Sequence, residues 1–301
     1  MTRRFALAFG IAALLATPAA ADGLNVVASF SILGDMAKAV GGDRVAVTTI
    51  VGPDADSHVY EPKPADAVAM SRADLVVLNG LGFEGWMARL REASGYTGPL
   101  VIASDGVVTH ELAEDDHGHA HGLDPHAWQS LGNGLIYARN IRDGLCIADA
   151  AGCDVYTANA AAYGDALTAL DTQIRADIAA IPEPQRQVIT SHDAFGYFAA
   201  AYGVTFLAPE GISTESEASA AGVARLITQI RETGITALFI ENMSDGRLIA
   251  QIAAETGVTP GGTLYADALS PPDGPAPTYI DMFRHNASLL IAAMTNRQEV
   301  P

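Results

Sequence analysis

The sequence predicts an α/β protein of two lobes, each with a mostly parallel sheet flanked by helices, joined by one long rigid helix. Three observations lead to this prediction. Strand-like and helix-like segments alternate in both halves of the chain, as in parallel sheets that helices cover on both faces. Without an N-terminal leader the chain keeps about 280 residues, which exceeds the usual size of one domain. A long amphipathic segment separates the two halves.

The first 21 residues have the features of a secretory signal peptide. Two arginines precede the apolar run Phe5–Leu15, and small residues follow it up to a cleavage site before Asp22. No later segment approaches the ~20 consecutive apolar residues of a transmembrane helix. No cysteine stands at the cleavage site to carry a lipid. We therefore expect a soluble protein that is exported to the periplasm by a cleavable signal.

The first lobe is predicted to cover residues 22–153. Strand-like runs and helical patterns alternate along it, with strands at 24–30, 45–51, 73–79 and 100–103 and helices at 31–40 and 83–93. Near its end lie the two cysteines of the chain, Cys146 and Cys153. In an exported chain, a disulfide that closes this short loop is favoured over a metal-binding or catalytic pair.

The linking helix is predicted over residues 154–184. Its apolar residues recur at intervals of three, four and seven: Tyr156, Tyr163, Leu167, Leu170, Ile174, Ile178 and Ile181. Two prolines, Pro182 and Pro184, then end the helical pattern. Because the apolar stripe continues over about six turns, we expect the helix to pack on both lobes as a stiff strut. The alternative is an ordinary helix of one lobe.

The second lobe, residues 185–301, repeats the alternation without a visible repeat of residues. Its strands are predicted at 187–190, 204–208 and 237–241, and its helices at 194–202, 219–233 and 248–256, with a further helix near the C-terminus. In open sheets of this kind, ligands bind beyond the carboxyl ends of the strands. The cleft between the lobes is therefore the predicted binding site.

The formal charge of −18 at pH 7 excludes one class of function. An acidic surface repels nucleic acid, so we expect no nucleic-acid partner. The same surface attracts divalent cations, but it does not select among them. A metal site must therefore be argued from particular residues.

Four of the eight histidines lie between residues 115 and 128. His117, His119 and His121 alternate with glycine and alanine, which leaves no apolar face to bury and favours a solvated loop that captures Zn²⁺. His126 differs, because a proline fixes the backbone before it and a tryptophan follows closely. The pattern indicates two metal features, an auxiliary capture loop and one ordered ligand.

Three more candidate ligands follow predicted strands. His58 comes after the second strand, in a loop that two prolines stiffen, whereas His192 and Asp267 follow strand-like segments of the second lobe. Taken singly, each residue is more typical of a surface position or, for Asp267, of a helix cap. Their joint position beside the histidine tract favours one shared metal site.

The spacing leaves one ligand open and assigns two histidines elsewhere. Glu241 ends a strand as Asp267 does, so position alone does not choose between the two carboxylates. His110 precedes the tract without a stiffening motif, and His285 lies on the predicted C-terminal helix. We expect both of these histidines to be structural or surface residues.

Five short motifs resemble those of a known family. They are residues 58–64, 124–128, 190–198, 211–215 and 265–269, which read HVYEPKP, DPHAW, TSHDAFGYF, GISTE and YADAL. The chain resembles the periplasmic zinc and manganese solute-binding proteins of ABC importers, the ZnuA/TroA-like group, and within it the AztC-type zinc proteins. The resemblance implies two α/β lobes joined by a long rigid helix. It also implies four metal ligands at their interface: His58, His126, His192 and Asp267.

The resemblance implies a binding protein and not an enzyme. Members thought to carry manganese tend to have glutamate where this chain has His192, and three imidazoles with one carboxylate suit zinc better. We expect high-affinity capture of Zn²⁺ by a monomer and delivery to an ABC permease driven by a cytoplasmic ATPase. A periplasmic metallochaperone is a further candidate partner.

Three other functions stay open. The first is a manganese-specific binding protein. The second is an exported zinc hydrolase in which water replaces Asp267, although the sequence has no His-Glu-x-x-His motif to support it. The third is an adhesin in which the metal is only structural, so that removal of zinc would unfold the chain.

Overall fold

The computed structural model describes residues 23–111, 122–215 and 218–295. The predicted signal peptide and the three histidines of the capture loop, His117, His119 and His121, lie outside the described residues. Within the described ranges, no helix is both long and apolar enough to cross a membrane.

The first half folds around a four-stranded parallel sheet. Its elements are β1 (Leu24–Phe30), α1 (Ser31–Gly41), β2 (Val45–Val51), α2 (Pro64–Ser71), β3 (Leu75–Leu78), α3 (Met87–Ser94) and β4 (Leu100–Ile102). The strand order is β2–β1–β3–β4, and every pairing is parallel. The last five residues of β1 are all buried, as expected of a central strand that is covered on both faces.

Two long helices follow, α4 (Leu131–Ala148) and α5 (Cys153–Ala179). A disulfide joins Cys146 in α4 to Cys153 at the start of α5, which confirms the predicted pairing. The buried face of α5 includes Tyr156, Leu167 and Ile174 from the predicted stripe. This helix packs against α1 and α4 of the first half and also contacts helices of the second half.

The second half repeats the parallel arrangement with shorter strands. Its elements are β5 (Gln187–Ile189), α6 (Gly196–Tyr202), β6 (Thr205–Leu207), α7 (Ala220–Thr233), β7 (Ile240–Glu241), α8 (Arg247–Thr256), β8 (Thr263–Leu264) and α9 (Tyr279–Thr295). The pairs β5–β6 and β7–β8 are parallel, and a parallel bridge between Ile189 and Leu238 places them side by side. The resulting order is β6–β5–β7–β8. The second-half contacts of α5 are made with α6 and α9.

The two-lobe α/β fold with parallel sheets and a long helix between the halves is therefore confirmed. Several details differ from the sequence prediction. The linking helix, predicted over residues 154–184, is α5 and ends at Ala179. Helices α2 and α4 were not predicted, and α3 begins at Met87 instead of residue 83. The turn before α3 is held by Glu84, whose carboxylate accepts hydrogen bonds from the backbone N–H groups of Asn79 and Gly80. These bonds hold residues 79–84 in a turn between β3 and α3.

The hydrophobic core is not divided evenly between the halves. The larger cluster of buried residues includes Phe30 and Trp128 of the first half and Phe198 and Phe283 of the second. A smaller cluster lies within the second half. Because one core crosses from half to half, the strand ends of both sheets are held at a common interface.

Candidate metal site

The four predicted ligands come together at that interface. His58 follows β2 and His126 lies beyond β4, whereas His192 follows β5 and Asp267 follows β8. One potential ligand atom from each residue lies within 4.8 Å of the other three. Each half therefore contributes two side chains from beyond the carboxyl ends of its strands, where the sequence analysis had placed His58, His192 and Asp267.

The spacing of these atoms fits a small tetrahedral ion. The Nε2 atom of His58 lies 3.2 Å from Nε2 of His126 and 3.2 Å from Oδ2 of Asp267. The same Asp267 oxygen lies 3.2 Å from Nε2 of His192, and Oδ1 lies 3.7 Å from Nε2 of His126. A tetrahedron with metal–ligand distances of about 2.1 Å has edges of about 3.4 Å. The measured separations bracket that value.

The potential ligand atoms are buried, and those of His192 and Asp267 lack ordinary partners. His126, His192 and Asp267 have 0% exposed surface, and His58 has 8%. Among the described residues, His192 Nε2 and both carboxylate oxygens of Asp267 are buried without a hydrogen bond of acceptable geometry. Buried polar atoms without a partner are costly, unless an ion satisfies them. The donor set therefore fits a bound divalent metal.

Two further carboxylates orient the imidazoles. The Nδ1 atom of His126 lies 2.8 Å from Oδ1 of Asp124, and Nδ1 of His192 is in close contact with Oε2 of Glu241. With Nδ1–H donated to a carboxylate, each ring turns its Nε2 lone pair toward the centre of the cluster. Glu241 is thus the partner of His192 and lies outside the cluster, which contains Asp267 instead.

Opposite charges within the cluster shift the pKa values of His192 and Asp267. Burial lowers the pKa of His192, but the charges of Glu241 and Asp267 outweigh burial and hold that pKa well above its ordinary value. Burial likewise raises the pKa of Asp267, yet the charges of His192 and His126 hold it well below its ordinary value. Without metal, a protonated His192 and an ionised Asp267 compensate each other in the protein interior.

Two tryptophans fix the backbone beside the ligands. Trp86 Nε1 donates to the carbonyl of Ser57 at 2.9 Å, and Trp128 Nε1 donates to the carbonyl of Ala266 at 2.9 Å. These carbonyls belong to the residues directly before His58 and Asp267. Both indole rings are almost fully buried, so each acts as a rigid support for one ligand-bearing segment.

Sequence reasoning missed the supporting roles of Asp124, Glu241 and Trp86. The role of Asp124 could have been inferred from its position two residues before His126, and that of Glu241 from its position at the end of a strand. His110 and His285 lie outside the cluster. The ring of His110 stacks on Tyr197 at 4.0 Å, and His285 bonds to the carbonyl of Thr263. Both therefore have the structural roles that the sequence suggested.

Comparison with known proteins identifies relatives across almost the whole chain. Residues 26–293 match the family described as ZnuA, zinc-uptake complex component A, periplasmic. The manganese-binding lipoprotein MntA of Halalkalibacterium halodurans is 35% identical over 274 residues, which cover 91% of this chain and 89% of that protein.

Solved structures agree with the same relationship. The periplasmic zinc-binding protein TroA from Treponema pallidum superimposes with a TM-score of 0.84 at 27% identity, over 90% of this chain and 99% of that one. A manganese-bound periplasmic metal-binding protein from Candidatus Liberibacter asiaticus gives a TM-score of 0.79 at 32% identity, with the same coverage. The chain therefore belongs to the ZnuA family of periplasmic metal-binding proteins, the solute-binding components of ABC importers.

Proposed function

We propose that this protein captures Zn²⁺ with high affinity through His58, His126, His192 and Asp267 and delivers it to an ABC importer. One observation carries the proposal. Three imidazole nitrogens and one carboxylate converge on a buried point, at separations that suit tetrahedral coordination. Zn²⁺ has no preference for a higher coordination number and accepts this mixture of nitrogen and oxygen ligands.

The ligand set favours zinc over an oxygen-preferring ion. Manganese is best served by carboxylate, carbonyl and water oxygens in a six-coordinate site, whereas imidazole suits zinc. Burial of the cluster leaves little room for extra water ligands, since three of the four side chains have no exposed surface. On these grounds we place the chain with the zinc-specific, AztC-type members of its family.

Manganese is the second candidate. The relatives reported above include a manganese-binding lipoprotein and a manganese-bound structure, each at more than 30% identity. If metal availability, and not the ligand preference of the site, decides which ion is bound, manganese would use the same four side chains. The choice between the two metals therefore rests on a direct competition measurement.

An enzymatic role has less support. A catalytic zinc keeps one open coordination position for water or substrate. Here Asp267 supplies a fourth protein ligand at 3.2 Å from the imidazole nitrogens of both His58 and His192, which closes that position. A closed set of four protein ligands suits capture and release of a metal ion without a chemical reaction.

We base the delivery of zinc on the role of the family, and the mode of zinc release on the position of helix α5. The protein is exported by a cleavable signal, acts as a monomer, and passes zinc to a permease that a cytoplasmic ATPase drives. Helix α5 contacts both halves and limits bending between them, so release comes from rearrangement of the ligand-bearing loops. Superimposable halves with displaced loops in metal-free and zinc-bound crystals would support this mechanism, whereas a large rigid-body closure would exclude it.

The histidine tract has an auxiliary role in this proposal. An antiparallel bridge between Glu111 and Leu123 brings together the two ends of the segment that carries it. The backbone N–H of Asp124 also donates to the carbonyl of His110 at 2.9 Å, only two residues before His126. In this proposal His117, His119 and His121 gather zinc, directly or from a metallochaperone, and pass it to the main site.

Metal content and competitive titration of the purified mature protein test the proposal. We expect one tight zinc per chain, zinc preferred over manganese, and loss of the tight site in His126→Ala and His192→Ala. Tighter binding of manganese would support the second candidate. Absence of a tight site, or one that survives both substitutions, would show that these side chains are not the ligands.

A further inference from the structure

The segment that carries His58 is held differently from the other ligands. Asp124 and Glu241 fix the rings of His126 and His192 through their Nδ1 atoms. Among the described residues, no such partner reaches Nδ1 of His58, whose hydrogen bonds are made by its backbone N–H and its Nε2 atom. The position of His58 therefore depends on how its backbone segment is anchored.

One carboxylate anchors that segment across the interface. Asp56 Oδ1 accepts the backbone N–H of His58 at 2.8 Å, while Asp56 Oδ2 accepts the hydroxyl of Thr214 at 2.7 Å. Thr214 lies after β6, in the second half of the protein. A single side chain thus connects the backbone of a first-half ligand to the opposite half.

A second contact lies beside the first. Asp54 Oδ1 accepts from the side-chain amide of Asn242 at 2.8 Å, and the backbone N–H of Asp54 donates to the carbonyl of Leu269 at 3.0 Å. Asp54 also has a φ of +53°, a left-handed conformation that a residue other than glycine adopts at a cost. The contacts to Asn242 and Leu269 hold this strained turn against the second half.

These contacts lie beside the ligand that is nearest to solvent. His58 is the one ligand of the four with exposed surface. Asp56 and Thr214 are half-buried, so their contact also lies at the surface of the protein. A displacement of residues 54–58 that moves His58 away from the other ligands would have to break the contacts to Thr214 and Asn242.

We infer that Asp56 and Thr214 are positioning residues that form a clasp over the metal site and set the rate at which metal enters and leaves it. The inference rests on the proposed function, since it identifies which contact must break during metal exchange. The clasp touches neither the ion nor a ligand side-chain atom. Its loss should therefore speed uptake and release together and change the equilibrium affinity little.

Release kinetics of Thr214 variants test the inference. Zinc-loaded protein is mixed with excess EDTA in a stopped-flow instrument, and the release rate is measured for the wild type, Thr214→Val and Thr214→Ser. Valine keeps the shape of threonine but removes the hydroxyl, so release should accelerate about tenfold, the effect of one hydrogen bond to a carboxylate. Serine restores the hydroxyl and should restore the slow rate.

Thr278→Val is the matched control. Thr278 Oγ1 donates to Asp281 Oδ2 at 2.7 Å, the same type of bond and the same length, at the start of α9. Its loss should leave the release rate unchanged, which separates the clasp from a general loss of stability. Equal release rates in Thr214→Val and the wild type would overturn the inference, as would a tenfold loss of affinity without any change in release rate.

Hydrogen exchange separates failure of the clasp from failure of the proposed function. In protein stripped of metal, Thr214→Val should exchange faster than wild type in peptides that cover residues 52–60, because the bonds to the Asp54 and His58 amides open more often. Unchanged exchange would overturn the clasp even if the wild type binds no zinc. Absence of tight zinc binding by the wild type would instead refute the proposed function.

Discussion

The two halves of the protein share one strand order but hold their ligands in different ways. The order is β2–β1–β3–β4 in the first half and β6–β5–β7–β8 in the second. In the second half, His192 and Asp267 lie within three residues of a strand end. In the first half, His58 and His126 lie on longer loops beyond β2 and β4. The site therefore combines two ligands that lie close to strand ends with two ligands whose positions depend on contacts made by their loops.

The difference shows how a rigid molecule can still exchange its ion. The first half has the longer strands, seven residues each in β1 and β2, but its ligands are farther from them. The second half has a three-residue strand in β5 and a two-residue strand in β8, yet His192 and Asp267 each lie three residues beyond them. Rigidity at the site therefore depends on local anchoring of each ligand and not on the size of the sheet behind it.

The largest expected effect is on zinc affinity, when removal of His192, a ligand near a strand end, is compared with removal of His58, a ligand on a loop. His192→Ala should weaken zinc binding by roughly 10³-fold, because it removes a fully buried ligand and leaves Asp267 without its compensating charge. His58→Ala should cost about tenfold less, because solvent can reach that position and supply a water ligand. Competitive zinc titration measures both, with His285→Gln as the control. Equal losses in the two variants would mean that the two kinds of anchoring do not matter for affinity.

The next effect concerns the carboxylates behind the rings. Glu241→Gln should reduce zinc affinity by about 10–100-fold, the usual range for loss of such a partner. Asp124→Asn should have a smaller effect, because Glu241 accepts two backbone N–H groups, those of Ser191 and His192, whereas Asp124 accepts one, that of His126. Glu255→Gln, in an exposed ion pair with Arg231, serves as the control in the same titration. A larger loss for Asp124→Asn would reverse the proposed ranking of the two halves.

The pH dependence should reflect the charged pair in the second half. The pKa of His192 is held well above its ordinary value, so near neutral pH the metal-free site binds a proton that zinc must displace. Affinity should fall about tenfold for each unit of pH below that raised pKa. Calorimetry in two buffers of different ionisation enthalpy should show net release of protons when zinc binds near neutral pH. A titration that releases no proton would contradict the protonated state of His192.

The same pKa determines the stability of the metal-free protein. A histidine with a raised folded-state pKa stabilises the fold fully below its unfolded pKa of about 6.5, and this contribution is lost as pH rises through the folded value. The depressed pKa of Asp267 acts in the opposite direction. Its contribution is present above the unfolded pKa of about 3.9 and is lost as pH falls through the lower folded value.

The smallest effect on zinc binding is expected away from the site, where α1 of the first half meets α9 of the second. Burial raises the pKa of Asp35 to about 6, although its bond from the backbone N–H of Tyr279 acts in the opposite direction. Because the folded pKa exceeds the unfolded one, stability falls as pH rises from about 4 through 6. Asp35→Asn should therefore stabilise the metal-free protein by up to about 3 kcal/mol at pH 8 and little at pH 4.

Urea unfolding at the two pH values measures this effect, and Asp177→Asn provides an exposed control on α5. Zinc release should not change in Asp35→Asn, since the clasp around Asp56 lies elsewhere. Stabilisation of equal size at both pH values would show that the effect is not electrostatic.

The sequence predicted the site better than it predicted the helices around it. The candidate ligands were recognisable from the joint position of three strand-end residues beside the histidine tract and from the family motifs, although each residue alone is more typical of a surface position or a helix cap. Helix α4 was missed because Gly132, Gly134 and Gly144 weaken its helical propensity. Glycine is required at position 144, because a Cβ atom on Gly144 would lie 2.1 Å from a methyl group of Val101. Close packing against the sheet, and not local preference, determines this helix.

Two other misses have different physical causes. Pro64 was interpreted as a residue that stiffens a loop, but it is the first residue of α2, where its fixed φ favours helix initiation. The choice between Asp267 and Glu241 was not available from spacing, because both follow strands. It depends on the parallel pairing of β7 with β8, which places Glu241 behind His192 and Asp267 in front of it.

The two indole contacts give the protein a built-in optical readout. The chain has two tryptophans, and each donates its N–H to the carbonyl just before one ligand. Trp86 is attached to the segment of His58, and Trp128 to the segment of Asp267. Their emission should therefore respond to separate events, Trp86 to movement of the clasped loop and Trp128 to the environment of the fixed ligand. Single Trp→Phe variants would let fluorescence follow metal capture from the two sides of the site independently, without an attached dye.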